Sequence, residues 1–151
     1  MEVRRLRADE ADSWRDIRLR MLGDAPSAFG MTHEDALATP ADEWARRAEA
    51  FAAGETRVVY IAEDGGEFVG SAGAFLDPED QDLPHLWGMW VAPAARGKGV
   101  GRALIEAVYD RARQAGSSRV YWQTHETNLT AIKLYERVAE RSGFIVYRKP
   151  L

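Results

Sequence analysis

The sequence predicts a mixed, three-layer α/β domain spanning residues 1–151, and three observations carry that prediction. The first part of the chain reads mostly as helix, with apolar residues at a period near 3.6. Three strand-like stretches then follow one another, rich in Val, Ile, Phe and Trp. With 46% hydrophobic and 29% charged residues, a chain of 151 residues can bury a proper core. Strands and helices do not alternate singly, which counts against a doubly wound nucleotide-binding fold. No linker, repeat or low-complexity segment interrupts the chain.

Each element has its own signal. "EVRRLRA" alternates as a short first strand, and Asp9 stands where it could cap the helix that follows. Trp14, Ile17, Met21 and Leu22 lie on one face of that helix, and Gly23 is placed to stop it. After the loop "DAPSAFG", one helical stretch begins near His33 and another at Pro40, a good first-turn residue, running toward Gly54. "TRVVYIAE" and "EFVGSAGAFLD" are strands joined by the tight turn "DGG". An acidic loop, "PEDQDLP", leads into "HLWGMWVAP" as the next strand. Residues 99–115 put Val100, Ala103, Leu104, Ala107 and Val108 on one helical face. "SRVYWQTH" reads as a fifth strand, residues 128–141 as a helix, and "FIVYRKPL" as a closing strand.

Composition excludes several classes of function. The net charge of −4 argues against nucleic acid or an anionic membrane as the main partner. With no cysteine, there is no disulfide, thiolate metal site or cysteine nucleophile. His33, His85 and His125 are far apart and match no zinc-binding spacing, so no metal is expected. The N-terminus lacks the apolar segment of a signal peptide and no apolar run approaches transmembrane length, so the cytoplasm is the expected location.

The most informative stretch is "AARGKGVGRAL", residues 94–104, glycines among cations between a strand and a helix. Such loops hold phosphate, because glycine lets backbone amides approach its oxygens and the helix dipole adds positive potential. A P-loop is excluded, since Gly97-Lys98 is followed by Gly99 rather than Ser or Thr. A dinucleotide fingerprint also fails, because the required final Gly or Ala is Arg102 or Leu104. The pattern present is R-x-x-G-x-G, formed by Arg96, Gly99 and Gly101.

That pattern resembles the acetyl-CoA motif of the GCN5-related N-acetyltransferase (GNAT) family, [Q/R]-x-x-G-x-[G/A] between a strand and a helix. The resemblance extends to "MWVAPAARGKGVGRALIEAV", to "NLTAIKLYERV" and to "DAPSAFGMTHE", and so covers essentially the whole chain. It implies a single domain with a mostly antiparallel central sheet splayed at the fourth strand. It also implies acetyl-CoA as donor, an amine as acceptor and direct transfer in a ternary complex. The expected partners are a small-molecule or peptide amine and, as an open option, a second copy of the chain. A catalytically silent acyl-CoA-binding module on the same fold is the alternative.

The resemblance also assigns roles. Gly97, Lys98, Gly99, Val100, Gly101 and Arg102 supply amides to the pyrophosphate, and Arg96, Lys98 and Arg102 supply charge. Met89, Trp90 and Val91 match the bulged strand along which pantetheine lies and where an amide can stabilise the oxyanion. Asn128 matches a cofactor contact, and Tyr135 the phenol that protonates the leaving thiolate. The plainer readings are an N-cap for Asn128 and a core aromatic for Tyr135. His85 stands where many members carry a glutamate base, and histidine titrates in a range suited to that task. Glu34, Trp44 and Trp122 are candidates for the acceptor wall. Gly143-Phe144 follow Tyr135 later than is usual in the family, by about one helical turn, which bears on the acceptor pocket.

Overall fold

The computed structural model describes residues 1–76 and 84–143. The elements run β1 (Glu2–Arg5), α1 (Ala11–Asp24), α2 (His33–Ala38), α3 (Ala41–Ala53), β2 (Arg57–Asp64), β3 (Glu67–Phe75), β4 (His85–Val91), α4 (Val100–Gln114) and α5 (Leu129–Val138). Short 3-10 turns at Pro26–Ala28 and Pro93–Ala95 complete the order. The closing strand expected from "FIVYRKPL" and most of the acidic loop lie outside the described residues.

β1 to β4 form an antiparallel sheet in sequence order. The "DGG" turn is a two-residue hairpin, pairing Asp64 with Glu67 across Gly65 and Gly66. One face of the sheet carries α1 and α3, reached by Trp87, whose ring lies 5.5 Å from Phe51 of α3. The other face carries α4, where a Cβ on Gly70 would stand 3.0 Å from Leu104. Ile17, Met21 and Leu22 of α1, Val58 and Ile61 of β2, and Leu104, Ile105 and Val108 of α4 are buried in one cluster. Fully burying a side chain of this kind stabilises by roughly 1.5–3 kcal/mol.

Several boundaries differ from the sequence reading. Glu10, not Asp9, occupies the N-cap position of α1, and it makes no side-chain cap bond. Its carboxylate instead receives Arg4 Nη1 and the Arg7 amide, both at 2.9 Å, tying β1 to the helix start. α1 continues one residue past Gly23, to Asp24. Pro40 precedes the first helical residue of α3 as its N-cap. α2 opens with a capping box, in which Thr32 accepts from the Asp35 amide and Asp35 accepts from the Thr32 amide.

Among the described residues, the stretch expected as a fifth strand shows one parallel bridge, between His85 and Tyr121. Leu86 donates to the Tyr121 carbonyl at 2.9 Å, and Tyr121 to the Pro84 carbonyl at 2.8 Å. The pairing stops two residues before a bulge in β4, and bulges commonly end pairing because they turn the ladder away. The expected splay at the fourth strand is therefore present.

Candidate active site

The bulge is where the site begins. Ser71 pairs with Trp90 and Gly73 with Trp87, so one residue of β3, Ala72, is matched by two of β4, Gly88 and Met89. Gly88 absorbs the extra residue with φ +59°, a conformation that disfavours any side chain. The Ser71 hydroxyl, fully buried beneath it, donates to the Gly88 carbonyl at 3.2 Å. Because of the bulge, Trp87 and Trp90, three residues apart, both face the α1/α3 layer. Met89 and Val91 face α4, where a Cβ on Gly101 would lie 3.2 and 3.6 Å from them.

Beyond β4, a 3-10 turn and a tight loop feed α4. Gly97 and Gly99 adopt φ of +77° and +84°, and an added Cβ at either would meet nothing within 4 Å. Among the described residues, none of the six successive backbone amides from Gly97 to Arg102 has a backbone acceptor. The helical bonds begin only with Ala103, which donates to Gly99 at 3.0 Å. A left-handed glycine on either side of Lys98, opening onto the first turn of a helix, forms a concave array of donors. Lys98 and Arg102 are exposed beside it. Gly101 serves differently: its missing side chain lets α5 approach, since a Cβ there would stand 2.8 Å from Leu134.

Arg96 is engaged elsewhere. Its guanidinium pairs with Asp24 at the end of α1, and its Nε donates to the Val91 carbonyl at 2.9 Å. Asp24 also accepts from Trp90 Nε1 at 2.9 Å. Burial would raise the Asp24 carboxyl, but the bonds from Trp90 and Arg96 outweigh it and hold the group below its ordinary range. Asp24 escaped the sequence reading because its partners lie 66 and 72 residues away.

α5 lies across the site. Asn128 caps it, its side chain accepting from the Ala131 amide at 3.2 Å. Tyr135 packs edge-on against Trp122, with ring centroids 5.3 Å apart, and Trp122 in turn lies 6.2 Å from Tyr109. Burial pushes the Tyr135 phenol up to about 12. Among the described residues its hydroxyl has no hydrogen-bond partner. A cavity of about 980 Å³, whose lining includes Tyr109, Ser117, Trp122, Ile132, Tyr135 and Val138, opens on the same side. It does not reach the glycine loop.

The other candidates are scattered. His85 is exposed at the start of β4, its ring 6.5 Å from Tyr121. Glu34 is exposed in the first turn of α2. Trp44 belongs to the core at 2% exposure, and its buried indole N–H has no acceptor among the described residues. Among the described residues no group of three or more His, Asp or Glu could hold a metal, and no helix is long and apolar enough to cross a membrane.

The family model that matches residues 14–139 describes the acetyltransferase (GNAT) family. The chain belongs to the GNAT family. Among its GNAT relatives, a D-amino-acid N-acetyltransferase of Saccharomyces cerevisiae is 39% identical over 69 residues, covering 46% of this chain and 43% of the relative. An L-2,4-diaminobutyric acid acetyltransferase of Nocardia farcinica is 33% identical over 91 residues, covering 60% of this chain and 47% of the relative. The chain thus matches just under half the length of these relatives. An aminoglycoside acetyltransferase solved with a bisubstrate analogue, AAC(6')-Iy, superposes with a TM-score of 0.74 at 22% identity, covering 99% of this chain and 98% of that one. A ribosomal-protein-alanine N-acetyltransferase of Brucella melitensis gives 0.72 at 19%, with full coverage of both chains. These two structures share the GNAT fold.

Proposed function

We propose that this GNAT protein is an acetyl-CoA-dependent N-acetyltransferase that moves the acetyl group directly to an amine within a ternary complex. The observation that carries the proposal is the run of six acceptor-free amides at Gly97–Arg102 beside the β4 bulge. The amides would hold the pyrophosphate, with Lys98 and Arg102 as cations that are unpaired among the described residues. Arg96, held by Asp24, would fix the loop rather than contact phosphate. Asn128 would support the cofactor side through the α5 cap.

When bound, acetyl-CoA supplies the thioester. The chain's own residues then have three tasks. A backbone amide among Met89, Trp90 and Val91 offers a hydrogen bond to the carbonyl oxygen as negative charge develops there. His85, directly or through water, takes the proton that the attacking amine loses. Tyr135 gives its proton to sulfur as the C–S bond breaks. A phenol near 12 stays protonated at neutral pH, and a thiolate formed in the same dry surroundings has its own proton affinity raised. Glu34 and Trp122 are proposed to shape the acceptor side, whereas Trp44 is a core residue. The names of the relatives point to amino acids, and those of the solved neighbours to aminoglycosides and a ribosomal protein.

The test is thermal. Acetyl-CoA should raise the melting temperature, while ATP and NAD should not. Gly99→Asp places a β-carbon and a negative charge at a left-handed position among the free amides, and it should abolish the shift. An unchanged shift in that variant would refute the assigned cofactor site.

A further inference from the structure

Among the described residues, Arg18 is a buried charge without a counter-ion. It lies on the apolar stripe of α1, among Trp14, Ile17, Met21 and Leu22, and is only 9% exposed. Its guanidinium sits over the rings of Trp14 and Phe29, with centroid distances of 5.6 and 5.8 Å. Nη1 reaches Met21 Sδ at 3.2 Å, a weak acceptor. Among the described residues no carboxylate pairs with it. The charge that acts on it is a like one, Arg47, which is itself engaged by Glu43 at 2.6 Å. Burial, and then Arg47, push the guanidinium down to about 10.

The position of this group is specific. Nη1 stands 3.5 Å from the point a Cβ on Gly88 would occupy, so the guanidinium borders the bulge. Arginine carries five N–H donors in a planar fork, and the contacts above account for one of them. Among the described residues Nε and Nη2 have no hydrogen-bond partner, and neither is fully sealed from solvent. A purely structural residue on this stripe would be apolar, because burying an unpaired charge is costly. The aromatic faces offset part of that cost. They leave the edge of the fork free.

We propose that Arg18 binds a carboxylate on the acceptor, so that the protein acetylates amines carrying a carboxylate rather than polycationic amines. This rests on the transferase reading, which places the reacting amine beside the same bulge. A flat monoanion suits a single planar fork held between aromatic rings. A polycation would instead bring positive charge toward Arg18 and Arg47.

The full chain is assayed for CoA release with free amino acids of both hands, each beside its carboxamide. β-Alanine beside phosphoethanolamine and a polycationic aminoglycoside complete the panel. The acids should exceed their carboxamides by at least about tenfold in kcat/KM. Arg18→Met should raise KM for the acid roughly tenfold to a hundredfold, leaving its kcat, the carboxamide and acetyl-CoA affinity near parent values. Arg18→Lys should restore part of the loss, since it keeps the charge but not the fork. Equal rates for acid and carboxamide, preference for the aminoglycoside or phosphoethanolamine, or an unaltered KM in Arg18→Met would each overturn the carboxylate assignment while leaving the transferase intact. CoA release with no amine at all would overturn the transferase reading and this one with it. The acid–carboxamide comparison uses the parent protein, so a variant that misfolds does not decide it; acetyl-CoA affinity reports folding.

Discussion

Asp24→Asn is the sharpest perturbation of the cofactor loop. The Asp24 carboxylate binds Trp90 of β4 and Arg96 of the loop, joining both to the end of α1. Asparagine can still accept from the indole at 2.9 Å, but only as a neutral group. The change from a charged to a neutral acceptor costs about 1 kcal/mol. The Arg96 pair is partly exposed, with 39% and 27% exposure of the two side chains, so screening limits its share to at most about 1 kcal/mol. The total is about 1–2 kcal/mol, a fall in Tm of roughly 2–8 °C for a chain of this length. Urea unfolding of Asp24→Asn, Arg96→Met and the double variant closes a cycle whose coupling isolates the ion pair. Acidity gives a second measure. A carboxyl held below its ordinary value contributes stability above the ordinary range and loses it as pH falls through the folded value. Asp24→Asn should therefore show a flatter acid limb. Acetyl-CoA affinity then separates two roles for Arg96: releasing a loop anchor weakens binding, whereas releasing a phosphate ligand strengthens it. Parent-like stability together with tighter acetyl-CoA binding would refute the anchoring argument.

Two further predictions concern the chemistry. Tyr135→Phe should lower kcat by about 10²–10⁴-fold with little change in CoA affinity, because the phenol is needed only as the C–S bond breaks. In the parent, absorbance titration should show one tyrosine ionising near 12, and stability should decline as pH rises from about 10 toward that value, because the unfolded phenol ionises first. A parent-like kcat in this variant would make Tyr135 a packing residue against Trp122. His85→Ala should reduce the rate chiefly at low pH, where free amine is scarcest, and a pH–rate profile that overlays the parent's would remove His85 from the chemistry.

What the sequence disclosed depended on how local each signal was. The hairpin at Gly65–Gly66, the apolar faces of α1 and α4, and the loop at Gly97–Gly101 are each encoded within a dozen neighbouring residues, and all are found where expected. Val120, Tyr121 and Trp122 have strand propensity, yet among the described residues only Tyr121 forms a bridge. Whether a strand pairs depends on its neighbour, and β4 bulges away after Leu86. Asn128 was offered both as a cofactor contact and as an N-cap, and the cap is observed. The partner of Arg96 was beyond reach, since nothing near residue 96 points to Asp24. Arg18 did leave a trace. A charged residue four positions after Trp14 and four before Leu22 interrupts an otherwise apolar stripe, and such an interruption marks either a paired charge or a waiting one.

α1 explains why these long-range features belong together. Arg18, Arg20 and Asp24 face β4 in sequence: Arg18 borders Gly88, Arg20 lies 5.7 Å over the Trp90 ring, and Asp24 binds Trp90 and Arg96. From Arg18 to Asp24 the helix rises about 9 Å, so one rigid rod spans the bulge and the start of the cofactor loop. The bulge in β4 makes this possible. Without it, Trp87 and Trp90 would point to opposite faces of the sheet, since side chains alternate along a strand. With it, both turn toward the α1/α3 layer, and Trp90 becomes the group through which α1 holds the strand open. Straightening the bulge would therefore cost the Trp90–Asp24 bond and displace Arg96 from its anchor. The distortion in β4 and the placement of the amide array are linked through the same helix.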